Sequence, residues 1–96
     1  MANNLIISYD LDTTNERNRD YQSVRDAIAS LGPAIDLEFS HFYVDSEHSA
    51  FEAAHVVWRT MSLGDKLVVV DASKNEIEIL GVSDSKIRAV EAMWNR

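Results

Sequence analysis

Apolar positions along the chain change period several times, and each change marks an element. Leu5 to Leu11 reads Leu-Ile-Ile-Ser-Tyr-Asp-Leu, a short apolar, β-branched run ending in polar residues, which predicts a buried strand. Residues 12–19 are polar and read as a loop, and Asp20 or Asn18 can cap the helix behind it. Tyr21, Val24, Ile28 and Leu31 then recur at i, i+3, i+7 and i+10, one stripe of a helix that Gly32-Pro33 stops. Ile35, Leu37 and Phe39 alternate in one phase and Phe42 and Val44 in the other. Two strands, about Ala34–Glu38 and Ser40–Asp45, therefore meet at a tight turn or bulge near Ser40. Ser49 with Glu52 three residues later is a capping box, and Phe51, Ala54, Trp58 and Met61 follow at helical spacing until Leu63-Gly64. Lys66 to Asp71 is a further buried strand. Ile77, Ile79 and Leu80 form a short fifth one after a Lys74-Asn75 turn. Ser83 caps a last helix with Ile87, Val90 and Trp94 on one stripe.

The predicted order is β-α-β-β-α-β, then a short strand and a helix. That is the split βαβ arrangement of an α+β, ferredoxin-like sandwich with a fifth strand and an extra C-terminal helix, spanning residues 1–96 as one domain. Two helices cover one sheet face. The other needs cover too, from a partner protomer or from the C-terminal helix.

Composition narrows the chemistry. Hydrophobic content of 46% suits a folded globule. The chain has no cysteine, which excludes disulfides, thiolate metal sites and a cysteine nucleophile. Met1-Ala2-Asn3-Asn4 lacks a basic n-region, and neither Leu5-Ile6-Ile7 nor Leu67-Val68-Val69-Val70 approaches the roughly 20 residues of a membrane span. The expectation is a soluble, cytoplasmic protein without a membrane partner. The formal net charge of −7 opposes polyanion binding through bulk electrostatics, so nucleic acid would need a local basic patch or a bound cation.

Several segments in their order resemble Cas2 proteins. Tyr9-Asp10-Leu11 is similar to the end of that family's first strand. Ala27-Ile28-Ala29-Ser30-Leu31-Gly32 resembles its first helix and glycine stop. Phe39-Ser40-His41-Phe42-Tyr43-Val44 looks like the kinked second and third strands, and Asp65-Lys66-Leu67-Val68-Val69-Val70 like the fourth strand and the aspartate before it. The Ser-Tyr-Asp-Leu opening is shared with short Cas2-like proteins outside CRISPR loci. The likeness covers roughly residues 4–81. It implies a homodimer whose fifth strand reaches toward the partner's sheet, and first-strand aspartates that face each other across the dimer axis. It also implies a nucleic-acid role, as a metal-dependent nuclease in some members and an architectural part in others. The chain departs from the family after the first strand, where the usual basic residues are reduced to Arg17 and Arg19 among Asp12, Glu16 and Asp20. Residues 83–96 are not part of the common core.

Asp10 is the one position carried over as a metal ligand. A pair of Asp10 carboxylates would suit Mg²⁺ or Mn²⁺ with waters and phosphate oxygens, and the alternative is a strand-end aspartate hydrogen-bonding its loop. Ser8 shares the Asp10 face by period-two alternation, and either orients a water or phosphate or is a plain strand serine. His41, on a strand, is a candidate general base. His48 and His55 stand two helical turns apart, about 10 Å, too far for one zinc ion with bonds of about 2 Å. Phe51, Trp58 and Met61 read as core, and Trp94 as an interface residue. Tyr9, Phe42 and Tyr43 are a candidate base-stacking platform. Asp12, Glu16, Asp20, Asp36, Glu38, Asp45 and Glu47 concentrate in the first half, as a solvated face or as a nucleic-acid mimic for a protein partner. The leading expectation is a Cas2-like homodimer in nucleic-acid processing or mobile-element defence, possessing, if it is an enzyme, a site of Asp10, Ser8 and His41 acting on RNA or DNA. The rival is a non-catalytic module that binds a protein through the acidic face or the C-terminal helix.

Overall fold

The computed structural model of the chain describes residues 2–13 and 20–94. Its elements are β1 (Asn3–Asp10), α1 (Tyr21–Ala29), β2 (Ala34–Asp36), β3 (His41–Ser46), α2 (Ala50–Trp58), β4 (Lys66–Asp71), β5 (Glu76–Leu80) and α3 (Asp84–Trp94). The strands form one antiparallel sheet in the order β2-β3-β1-β4-β5. This is the expected ferredoxin-like α+β arrangement, extended by β5 and α3. No helix among the described residues is long and apolar enough to cross a membrane.

The centre of the sheet is β1, bonded to β3 on one side and β4 on the other. Leu5, Ile7 and Tyr9 are buried, whereas Asn4, Ile6 and Asp10 are exposed. The buried set packs with Val44, Leu67 and Val69 of the neighbouring strands and with Val24, Ile28 and Val57 of α1 and α2. Each such side chain contributes about 1.5–3 kcal/mol on burial. A one-residue slip would turn Leu5, Ile7 and Tyr9 outward together, so burial fixes the register.

Local chemistry sets the helix ends. Asp20 caps α1, accepting from the Ser23 N–H at 3.0 Å and from the Ser23 hydroxyl. Asn18, the other candidate cap, lies outside the described residues, as do Glu16, Arg17 and Arg19. After α1, a Cβ on Gly32 would sit 2.0 Å from the Asp45 carbonyl oxygen, so only glycine passes there. The Ser49–Glu52 capping box is complete: the Glu52 N–H donates to Ser49 Oγ at 3.1 Å, and the Ser49 N–H donates to Glu52 Oε1 at 2.9 Å. The buried face of α2 is Ala50, Ala53, Ala54 and Val57. Phe51 is therefore not core: it is 59% exposed and lies against the His55 ring. Trp58 and Met61 are half-buried against the core, with Met61 beyond the helix end.

The β2–β3 hairpin differs from the sequence expectation. β2 stops at Asp36 and β3 starts at His41, because Glu38, Phe39 and Ser40 take left-handed backbone with φ of 75°, 55° and 65°. Asp36 Oδ1 accepts from the Glu38 N–H at 2.7 Å, and the Leu37 N–H donates to the His41 carbonyl at 2.8 Å to close the turn. β5 pairs with β4 of its own chain.

Around α3 the packing is sparse, and none of its residues is buried. The Ser83 carbonyl accepts the N–H of Lys86 and Ile87, while its hydroxyl meets only the Ser85 hydroxyl, at 3.4 Å. The Trp94 Nε1–H donates to the Asn75 carbonyl at 3.1 Å, tying the helix end to the β4–β5 turn. The sheet face away from α1 and α2 keeps an apolar row across all five strands, Ile35, Tyr43, Ile6, Val70 and Ile77, each the register partner of the next. Ile35 and Ile6 in that row stay exposed.

Candidate functional site

At one end of this open face lies a shallow depression of about 280 Å³, ringed by Ser8, Asp10, His41 and Lys66 against apolar Val68 and Val82. The strands place each group. Ser8 and Asp10 are two apart on β1 and share its outward face, as alternation requires. Ser8 is the cross-strand partner of His41 on β3, and Asp10 of Lys66 on β4. Ser8 Oγ and His41 Nδ1 are 2.7 Å apart, a hydrogen bond in which either group can donate. With Nδ1 engaged, Nε2 of this exposed ring is the nitrogen available to a ligand. Asp10 is exposed, and its carboxylate takes part in no hydrogen bond or ion pair among the described residues. The Lys66 ammonium meets the Gly64 carbonyl at 3.4 Å.

The three sequence candidates, Ser8, Asp10 and His41, are thus brought together. Lys66 is the member that sequence reading missed. Its signal was an apolar strand opening on a lysine, but only the β1–β4 register puts that lysine opposite Asp10. His48 and His55 lie elsewhere: His48 Nδ1 is 3.9 Å from Glu52 Oε1, and His55 Nδ1 bonds the Phe51 carbonyl at 2.8 Å. The proposed stacking platform is split by strand alternation. Tyr9 and Phe42 stack on each other inside the core, with centroids 6.3 Å apart, while Tyr43 faces the open side and donates to Asn4 Oδ1 at 2.6 Å.

Chemically, the residues around the depression carry an imidazole for proton transfer, a hydroxyl, a carboxylate and an ammonium, while the floor between them is mostly carbon. Among the described residues no group of three His, Cys, Asp or Glu could hold a metal ion. One chain brings a single carboxylate, Asp10, with a lysine opposite it; Mg²⁺ held there would take its remaining ligands from water, phosphate oxygens or a second copy.

Other acidic residues have structural work. Asp65 is fully buried and accepts from the Asp12 N–H at 2.8 Å and the Ser62 N–H at 2.7 Å, clasping the loop after β1 to the loop before β4. Asp71 is also fully buried; its Oδ1 accepts from Ser73 and Lys74 N–H, while Oδ2 has no hydrogen-bond partner among the described residues. Asp36 pairs with Arg25 at 3.3 Å. A second groove, about 250 Å³ between the α2 start, β5 and α3, carries Glu76, Glu78 and Glu91, the wrong charge for a phosphate. Comparison with known proteins finds no match to any protein-family model, curated protein or solved structure, so the Cas2-like resemblance rests on the residues quoted above.

Proposed function

We propose that the chain is a Cas2-like homodimeric domain in nucleic-acid processing or mobile-element defence, and that Ser8, Asp10 and His41 form its phosphodiesterase site. The observation that carries this reading is the 2.7 Å Ser8–His41 hydrogen bond in the same depression as an Asp10 carboxylate that has no partner among the described residues. In this reading His41 takes a proton from the attacking water through Nε2, while Ser8 holds the ring. Mg²⁺ or Mn²⁺ held by Asp10 from each of two copies would supply charge neutralisation on the phosphate and a more acidic water. The dimer reading draws on the apolar row of the open face, which a second copy would cover.

The test is cleavage of labelled RNA and DNA with Mg²⁺ or Mn²⁺ by the wild-type protein, Asp10→Ala and His41→Ala. Each variant is expected to lose roughly 10²–10⁴-fold in rate, the usual worth of a positioned acid or base. Both residues are exposed, so the fold should persist, as circular dichroism would verify. Equal cleavage by all three proteins would overturn the assignment.

A second reading, a non-catalytic interaction module, is favoured by the same apolar row and by the lack of a three-ligand cluster among the described residues. It predicts no cleavage by any of the proteins, with the acidic face or α3 meeting a protein partner. An acidic face could then act as a nucleic-acid mimic.

A further inference from the structure

We infer that Lys66 is the group that binds the phosphodiester anion in this depression, the local cation that lets an acidic chain hold a nucleic-acid strand. This rests on the phosphodiesterase reading of Ser8, Asp10 and His41 and adds the substrate contact that reading lacks. A net charge of −7 repels a polyanion at a distance, so binding must be local. Of the described basic side chains, only Lys66 lines the depression. Arg25, by contrast, is engaged with Asp36.

Among the described residues, no ion pair consumes the Lys66 charge. Asp10 is its register partner, yet no ion pair joins them within 4.0 Å, and the ammonium has only the long contact to the Gly64 carbonyl. Ammonium is a compact point charge on a flexible stem, suited to following a phosphate rather than fixing it bidentately. Val68 and Val82 line the depression beside it. The Ser8 hydroxyl is a second donor on the adjacent strand. A phosphodiester between Lys66 and Ser8 would lie beside His41, where the proton must be moved.

The experiment uses a fluorescein-labelled 12-nucleotide single strand without divalent ions, its binding followed by anisotropy at several salt concentrations, together with steady-state cleavage. The proteins are wild type, Lys66→Met, Lys66→Arg and Asp10→Ala. Lys66→Met is expected to weaken binding about tenfold, to flatten the log K against log salt slope by about one unit, and to raise KM with kcat nearly unchanged. Lys66→Arg should retain binding. Wild-type affinity and slope in Lys66→Met would overturn the inference, as would a wild-type protein that fails to bind at low salt. Asp10→Ala separates the two ideas: normal cleavage by that variant with weak binding by Lys66→Met would sink the site assignment and leave Lys66 as the anion contact.

Discussion

Five aspartates show how surroundings, not residue type, assign a role. Asp10 stands exposed at a strand end, Asp20 caps a helix, Asp36 opens a turn, and Asp65 and Asp71 are buried and accept backbone N–H groups. The sequence places Asp10 and Asp20 correctly because strand ends and caps are local features. It does not separate Asp65 from a functional aspartate, because one of its partners, Asp12, lies far off in the chain and is brought to it only by folding. The caps carry a pH signature. Hydrogen bonds from the Ser23 hydroxyl and N–H hold Asp20 below its ordinary value of 3.8, and the Ser49 N–H holds Glu52 below 4.5. Folded values below unfolded ones mean that the caps stabilise fully above those ordinary values and lose that contribution as pH falls through the folded ones. In a urea-midpoint series from about pH 6 to about pH 2, the Asp20→Asn, Glu52→Gln double variant should decline less steeply than wild type. Parallel curves would deny the caps any such role.

At the scale of elements, periodicity located all eight: buried faces impose their spacing on most of them, and β2 and α3, which bury no residue, show it only as a spacing of apolar residues. It misjudged the face of α2, where small alanines rather than Phe51 meet the sheet, and it overextended β2. The cause of the second error is the 37–40 turn, whose three consecutive left-handed residues include no glycine. Nothing in Leu37-Glu38-Phe39-Ser40 announces that conformation. Left-handed backbone costs a residue with a Cβ roughly 1–2 kcal/mol. Phe39 is 91% exposed, so its side chain returns little by burial. Phe39→Gly should therefore raise stability by about 0.5–1 kcal/mol in urea denaturation, after the extra unfolded-state entropy of glycine. A loss of stability would mean that the ring is held by contacts with another molecule.

On the scale of the whole molecule, the open face is the dominant unexplained surface. Five strands about 4.8 Å apart and four outward rows about 7 Å apart make a face of roughly 500–600 Å². Two such faces together reach only about the lower limit of a specific interface. A dimer built on it would be concentration-dependent. Wild-type protein should sediment as a dimer at tens of micromolar, and Ile6→Asp, at the middle of the row, as a folded monomer; two monomeric samples would remove this face as a self-interface. The outward side of the sheet was legible from alternation alone, and with it the shared face of Ser8 and Asp10. The His41 and Lys66 neighbours were not, because register between distant strands is settled by packing. That same topology bears on synthesis. β1 is made first yet is the middle strand, and its partner β4 leaves the ribosome about sixty residues later. At about 5–20 residues per second, Leu5, Ile6 and Ile7 wait roughly 3–12 s with one edge or both bare. During that interval the nascent chain is at its stickiest, and polar Asn3, Asn4, Ser8 and Asp10 around the apolar triplet serve as its gatekeepers against pairing with a neighbouring chain.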